Sequence, residues 1–175
     1  MNPSYTLSII GTGAVGSSIA YAAALRELPV RILLNDIDMK RAEGEALDLS
    51  DCTFLSSTTV ETVSPKGVGQ SDIIVITAGA KQNPGESRAN LIDRNYKIMS
   101  SVMQGIRPIN PKAKIIIVAN PVEILCDIAQ KLSGLPREQV FGSGTFLDSA
   151  RLRLKIAQTL HINETSIHCY VLGEH

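Results

Sequence analysis

The glycine-rich stretch at residues 11–16, Gly-Thr-Gly-Ala-Val-Gly, constrains the fold of this chain more than any other feature. A β-branched apolar run, Tyr5–Ile10, leads into it, and a helical pattern, Ser17–Glu27, follows it. In this setting the first glycine permits a turn, the second lets backbone amides approach a pyrophosphate, and the third lets helix and strand pack closely. The helix N-terminus offers unpaired N–H groups to the phosphates. The stretch therefore predicts a dinucleotide-binding turn.

An acidic residue follows the next apolar run. The run Val30–Asn35 predicts a second strand, and Asp36 comes directly after it. A carboxylate at this position accepts hydrogen bonds from an adenosine ribose diol and repels a 2′-phosphate, which favours NAD over NADP. Asp36 or Asp38 is also suited to cap the following helix, Met39–Leu49, but that alternative does not account for the glycines.

The rest of the chain continues the alternation of strands and helices. Strands are predicted at Thr58–Val63, Asp72–Thr77, Lys114–Ala119 and Gln139–Phe141, and helices at Ala89–Ile106, Val122–Leu132 and Leu147–Leu160. This α/β pattern predicts a Rossmann-type, doubly wound parallel sheet of six strands in the order 3-2-1-4-5-6. Small residues, Thr77–Ala80, end the fourth strand where such sheets bind ligands, and a polar surface loop with lid mobility follows at 81–88.

Composition excludes several classes of partner. The 17 Lys and Arg residues balance the 17 Asp and Glu residues, so no basic face for nucleic acid or an anionic membrane is predicted. Apolar runs are far too short to span a bilayer, and the N-terminus lacks a secretory signal. Three cysteines without CxxC spacing indicate reduced thiols. We therefore expect a cytoplasmic chain with no nucleic-acid, membrane or metal partner.

Three ionisable residues near the end of the chain form a candidate catalytic group. On a helix at Leu147–Leu160, Asp148 and Arg151 share a face. An arginine fork suits a substrate carboxylate, and an aspartate beside the imidazole of His175 fixes its tautomer and favours its protonated form. Such a trio can hold a small acid and move a proton at the neighbouring carbon. The residues alone leave an alternative open, in which Asp148 caps the helix and Arg151 is solvated.

Several motifs in order resemble those of the L-lactate/malate dehydrogenase family. The resemblance runs from Leu7 to the last residue and includes GxGxxG, Asp36, Thr77–Ala80, Pro84–Arg88, Asn120–Val122, Gly142–Arg151 and Leu172–His175. It implies NAD as cofactor and hydride transfer between NAD and a small 2-hydroxy or 2-keto acid. The implied reaction is the interconversion of (S)-lactate and pyruvate, in glycolysis and fermentation.

The resemblance also implies a role for each site residue. His175 would exchange a proton with the substrate C2 oxygen, Asp148 would orient it, and Arg151 would bind the substrate carboxylate. Arg88 would polarise the C2 carbonyl when the loop closes, and Asn120 would contact both cofactor and substrate. The implied cofactor-binding residues are Gly11, Gly13, Ala14, Val15, Gly16, Asp36, Arg41, Thr77, Ala78, Gly79, Ala80, Ser101, Asn120 and Ser143. The chemistry fits, because reducing a keto acid builds negative charge that imidazolium and guanidinium groups stabilise.

Gln82 distinguishes between substrates within the family. Malate dehydrogenases of this type carry an arginine six residues before the loop arginine, where it pairs with the second carboxylate of oxaloacetate. Enclosing an unpaired carboxylate against Gln82 would cost on the order of several kcal/mol, so pyruvate is favoured. The alternatives are a malate dehydrogenase and a non-catalytic NAD-binding module that pairs with a full-length homologue. A short-chain dehydrogenase fits less well, because Ser100 rather than lysine stands four residues after Tyr96.

Some positions depart from the family pattern. Lys81 replaces a frequent arginine, and Glu123 replaces the usual aspartate. Arg153 and His168 match positions that bind fructose 1,6-bisphosphate in allosteric bacterial members, although a solvated-surface interpretation of the two is favoured.

Family members continue well beyond the catalytic histidine. We therefore expect an NAD-binding domain at residues 1–144 and, at 145–175, the first helix and strand of a catalytic domain. Full-length members are expected to be homotetramers. Apolar side chains of the helix at Leu147–Leu160 should be left partly exposed, and His175 should be loosely held. We therefore expect residues 1–175 alone to keep NAD binding better than turnover.

Overall fold

The computed structural model of the protein describes residues 5–53, 57–81, 83–85 and 87–175, with Arg88 described by its backbone alone. Within these residues six strands form one sheet in the order β3-β2-β1-β4-β5-β6. The strands are β1 (Tyr5–Ile10), β2 (Val30–Asn35), β3 (Thr59–Thr62), β4 (Ile73–Ile76), β5 (Lys114–Ile117) and β6 (Val140–Gly142). Every neighbouring pair is parallel. The predicted doubly wound sheet and its strand order are confirmed.

The described part of the chain contains six α-helices that alternate with the strands. They are α1 (Ala14–Leu25), α2 (Met39–Asp51), α3 (Pro65–Val68), α4 (Arg88–Gly105), α5 (Val122–Ser133) and α6 (Phe146–Leu160). Helix α1 begins three residues earlier than predicted, because the third glycine of the turn lies inside it, and the short helix α3 was not predicted. None of the helices described is long and apolar enough to cross a membrane.

The core lies on both faces of the sheet. Alternate residues of β4 point in opposite directions. Ile74 and Ile76 pack with side chains of α4 and α5, whereas Val75 packs with side chains of α1 and α2. Ile74 and Ile76 are fully buried and Val75 is 5% exposed. A strand covered on both faces reads as a continuous apolar run, as the sequence of β4 does.

Polar side chains fix the start of β1 against β4. Asp72 Oδ2 accepts hydrogen bonds from the backbone N–H and the hydroxyl of Thr6, both at 2.8 Å. The buried hydroxyls of Ser8 and Ser71 are 2.6 Å apart. These contacts satisfy polar groups at the amino-terminal edge of the sheet and hold the two strands in register.

The segment that follows α6 contains one turn of 3-10 helix, Glu164–Ser166, and no strand, contrary to the sequence-based expectation. Its backbone groups at 169–171 bond to side chains of α6 and of its N-cap residue, Thr145, instead of to a neighbouring strand. Arg153 Nε donates to the carbonyl of Cys169 at 3.0 Å, and the hydroxyl of Thr145 donates to the carbonyl of Val171 at 2.6 Å. The backbone N–H of residue 171 donates to Ser149 Oγ at 3.0 Å.

Several apolar side chains of α6 are open to solvent. Leu147, Leu154 and Leu160 are 50%, 46% and 59% exposed. The expectation of partly uncovered apolar side chains on this helix is confirmed.

The glycine turn requires glycine at two positions. Gly11 has φ +98°, and a Cβ on Gly16 would lie 1.9 Å from the carbonyl oxygen of Gly11. The first value lies in a region that L side chains rarely adopt, and the second is an impossible contact between backbone and side chain. These are the turn and the close helix–strand approach that the sequence predicts for the first and third glycines.

Alanine at Gly16 should destabilise the fold, whereas alanine at Gly44 should stabilise it. The Gly16 substitution forces the turn open, at about 1–3 kcal/mol or more. A Cβ on Gly44, inside α2, meets nothing within 4 Å, so Gly44→Ala should add about 0.5–1 kcal/mol through helix propensity. Urea denaturation of both variants measures the two free energies of unfolding. Unchanged stability of Gly16→Ala would contradict the close approach described.

Candidate active site

The carboxyl ends of the parallel strands bring the predicted site residues to one edge of the sheet. Backbone hydrogen bonds link each strand end to the next: Gly11 N donates to Asn35 O at 2.8 Å, Thr77 N to Ile10 O at 3.0 Å, and Ser143 N to Ile117 O at 2.8 Å. The order of strands reverses between β1 and β4, which makes this edge a topological switch point where doubly wound sheets bind ligands.

The N-terminus of α1 has the features of an anion-binding site. Its N-cap residue, Gly13, makes no side-chain capping bond, and its first turn contains no acidic residue. A Cβ on Gly13 would meet no atom within 4 Å, so the space beside the turn is open. Ala14 and Val15 are exposed. First-turn amides with the positive end of the helix dipole suit a pyrophosphate.

Asp36 joins the end of β2 to the glycine turn. Its Oδ2 accepts hydrogen bonds from the Thr12 N–H at 2.6 Å and the Thr12 hydroxyl at 3.1 Å, and its Oδ1 accepts from the Asp38 N–H at 3.0 Å. The residue is partly exposed, so its oxygens remain accessible to a ribose diol. Asp38, not Asp36, caps α2, because its carboxylate accepts from the N–H of Arg41.

These hydrogen bonds also determine how Asp36 titrates. Partial burial is the largest single influence and by itself raises the pKa of Asp36. Hydrogen bonds from Asp38 and Thr12, with the charge of Arg41, together outweigh it, and the pKa lies below its ordinary value of 3.8. The carboxylate therefore stays charged, the state that accepts two hydrogen bonds from a ribose.

Asn95 is a site residue that the sequence analysis missed. It lies on α4, is 1% exposed, and bridges two strand-end loops. Its Oδ1 accepts from the Ala80 N–H at 2.7 Å, and its Nδ2 donates to the Asn120 carbonyl at 3.1 Å. Both ends of the amide are satisfied, as burial demands. The sequence does contain a signal for this role. Asn95 is a polar residue among the apolar positions that form the buried face of α4.

The Asp148–His175 pair forms as predicted. His175 Nδ1 lies 2.6 Å from Asp148 Oδ2, and the two side chains are 28% and 29% exposed. Because a carboxylate oxygen accepts, Nδ1 carries the proton of this bond and Nε2 is left for proton exchange. Arg151 Nη1 lies 3.9 Å from Asp148 Oδ1, and its side chain is 68% exposed, which leaves the guanidinium open to a carboxylate. Asp148 therefore orients the imidazole.

His175 is held by its backbone as well. Its N–H donates to Glu123 Oε1 at 2.7 Å. Because Glu123 lies in the first turn of α5, directly beyond the carboxyl end of β5, this bond puts the histidine at the same edge as the glycine turn. Two carboxylates lie within hydrogen-bond distance of His175, and the expectation that this residue is loosely held stays a prediction.

Five further predicted site residues are exposed or have side chains outside the described residues. Gln82 lies outside the described residues, as does the side chain of Arg88, so their predicted roles stay predictions. Arg41, Ser101 and Ser143 are exposed on α2, on α4 and after β6. Within the described ranges no cluster of three or more His, Cys, Asp and Glu side chains could hold a metal ion.

Arg153 binds the segment after α6. Besides its bond to Cys169, its guanidinium lies 4.6 Å from the centroid of the Tyr170 ring, a cation–π contact. His168 is exposed. These contacts give Arg153 a packing role that needs no phosphate ligand.

The sequence matches a family model over most of its length. Residues 5–142 match the model described as lactate/malate dehydrogenase, NAD binding domain. The chain therefore belongs to the lactate/malate dehydrogenase family, and these residues form its NAD-binding domain.

Individual relatives and solved structures show the same family similarity. L-lactate dehydrogenase A of Rhizopus oryzae is 46% identical over 169 residues, which cover 97% of this chain and 53% of the relative. A lactate dehydrogenase from a Medee basin deep-sea metagenome superposes with a TM-score of 0.91 at 38% identity, covering 100% of this chain and 56% of the other. The Cryptosporidium parvum lactate dehydrogenase, solved with lactic acid and nicotinamide adenine dinucleotide, superposes with a TM-score of 0.90 at 31% identity. This match covers 100% of this chain and 56% of the other. The chain thus spans about half the length of these proteins.

Asp36→Asn should make the free energy of unfolding less dependent on pH in the acid range. Because the folded-state pKa of Asp36 is lowered, its contribution is fully present above 3.8 and is lost as the pH falls through the folded value. The stability difference between wild type and Asp36→Asn should therefore shrink as the pH is lowered from about 6 to about 3. Urea denaturation across this range measures it, with the exposed Asp51→Asn as background. A constant difference would contradict the lowered pKa.

Asn95→Ala should destabilise the protein through the loops that it bridges. The substitution leaves the Ala80 N–H and the Asn120 carbonyl without their partner, at about 1–3 kcal/mol. The matched control is Asn90→Ala, an exposed position on the same helix, which should change the free energy of unfolding little. Equal effects of the two substitutions in urea denaturation would mean that the bridge contributes nothing.

Proposed function

We propose that this chain binds NAD and forms part of an NAD-dependent dehydrogenase that interconverts (S)-lactate and pyruvate. One observation carries the proposal. A single edge of the sheet presents the uncapped α1 N-terminus with Asp36 and, through the bond from His175 to Glu123, the Asp148–His175 pair at 2.6 Å. Dinucleotide binding and acid/base chemistry on a small acid both require such groups at one place.

The glycine turn and Asp36 fit the two polar parts of the dinucleotide. The open space at Gly13 and the first-turn amides of α1 suit the pyrophosphate. The charged carboxylate of Asp36 suits the ribose diol of NAD and opposes the 2′-phosphate of NADP. NAD, when bound, supplies or accepts the hydride.

The trio near the end of the chain would carry the proton and the substrate carboxylate. During reduction His175 Nε2 gives its proton to the C2 oxygen as negative charge develops there, and Asp148 stabilises the imidazole in both protonation states. The exposed guanidinium of Arg151 would bind the carboxylate through two parallel hydrogen bonds. In oxidation His175 takes the proton back.

The choice of lactate over malate depends on Gln82. A neutral amide there provides no partner for the second carboxylate of oxaloacetate, whereas pyruvate presents only a methyl group. The names of the relatives, L-lactate dehydrogenases, support the same choice.

The boundary near residue 144 is part of this proposal. We assign 1–144 to the NAD-binding domain and 145–175 to the start of a substrate domain. The end of the family match at residue 142 supports the boundary. We also propose that the full-length protein is a homotetramer, and the exposed leucines of α6 support further packing against that helix.

Titration calorimetry tests the cofactor. NADH should bind, and NADPH should bind at least about tenfold more weakly. Gly13→Val, which fills the open space beside the turn, should abolish binding without unfolding the chain, whereas the control Gly44→Ala should leave it intact. Absence of heat with NADH would refute the proposal.

The reaction is tested in the full-length protein by NADH oxidation with pyruvate and oxaloacetate side by side. Pyruvate should be the better substrate, and Asp148→Asn should abolish oxidation while NADH binding remains. The surface change Asp127→Asn is the control. Gln82→Arg should shift the preference toward oxaloacetate. Faster turnover of oxaloacetate by the wild type would favour malate dehydrogenase, and NADH binding without oxidation would favour a non-catalytic module.

A further inference from the structure

Glu123 contacts the main chain of the proposed acid/base residue, His175. It occupies the first turn of α5, and its side chain reaches across 52 positions of sequence to accept a hydrogen bond from the His175 N–H at 2.7 Å. The residue is partly buried.

Two carboxylates hold different parts of the histidine. Asp148 holds the ring at Nδ1, and Glu123 holds the main chain. A ring held by Asp148 alone still pivots when the backbone moves, because only one end of the side chain is fixed. Holding both ends defines the direction in which Nε2 points, and catalysis depends steeply on such positioning.

The two carboxylates also belong to different parts of the fold. Asp148 lies on α6, whereas Glu123 begins the helix that follows β5. Without Glu123, the segment that ends in His175 is held by α6 through the hydrogen bonds of residues 169–171. Glu123 is therefore the contact that ties the histidine to the strand ends of the NAD-binding domain.

We propose that Glu123 is a positioning residue: through the His175 N–H it fixes the acid/base imidazole over the carboxyl edge of the sheet. The proposal rests on the proposed function for the role of His175. The competing explanation is that Glu123 only stabilises α5, since an acidic residue in the first turn interacts favourably with the helix dipole. The two explanations differ in what they require of the side chain, an oxygen acceptor in the first and a negative charge in the second.

Two substitutions separate the explanations. Glu123→Gln removes the charge but keeps an oxygen of nearly the same reach, whereas Glu123→Ala removes both. If Glu123 positions His175, the alanine variant fails and the glutamine variant is largely rescued. If Glu123 serves only the helix dipole, the two variants behave alike. Asp127→Asn is the matched control, since Asp127 lies on the same helix, is exposed, and pairs with exposed Lys131 at 2.7 Å.

The first measurement needs no catalysis. In ¹⁵N-labelled full chain, the heteronuclear NOE and hydrogen-exchange protection of the His175 amide should fall in Glu123→Ala and be mostly kept in Glu123→Gln and in Asp127→Asn. An unchanged His175 amide in Glu123→Ala, or equal losses in the alanine and glutamine variants, would overturn the proposal.

The second measurement is kinetic. Glu123→Ala should lower kcat for pyruvate reduction by about ten- to a hundredfold, the scale of a small misplacement of a catalytic group, with the NADH dissociation constant unchanged. Glu123→Gln should recover most of kcat. These rates are measured in the full-length protein. If that wild type does not oxidise NADH, the proposed function fails by itself, and the amide measurement still decides whether Glu123 holds His175. Equal kcat in the alanine variant and the wild type would overturn the proposal.

Discussion

The parallel register of the sheet is the constraint on which the whole site depends. Because β1 pairs in parallel with both β2 and β4, the residues that follow these strands, Gly11, Asp36 and Thr77, leave the sheet at the same edge. A slip of one residue would turn buried side chains such as Ile9 toward the wrong face, so burial locks the register. The Thr6–Asp72 contacts hold the opposite edge. A ligand site at the switch point is therefore a consequence of strand order and packing.

Three carboxylates join segments of the chain at this edge. Asp36 ties the glycine turn to β2, Asp148 orients the imidazole, and Glu123 holds the backbone of His175. Charge-assisted hydrogen bonds are shorter and stronger than neutral ones, which suits contacts between segments far apart in sequence. The neutral amide of Asn95 plays the same joining role where the surroundings are buried and a charge would be costly.

The sequence predicted what depends on local pattern and failed where contacts depend on how elements face each other. The bounds of β1 and β2 were predicted residue for residue, because a strong apolar run ends at a glycine or an acid. The pairing of Asp148 with His175 was also predicted. The roles of Asn95 and Glu123 were not, because which face of α4 is buried, and which side chain of α5 meets residue 175, are set by packing. The strand expected after α6 is absent because its backbone groups bond to side chains.

Mapping the amides that respond to NADH tests the central claim most directly. In a ¹H–¹⁵N titration of the chain, the account predicts that shifts concentrate at residues 11–16, at Asp36 and at 77–80, with smaller shifts at His175. Shifts concentrated at Thr6, Ser71 and Asp72, on the opposite edge of the sheet, would contradict it.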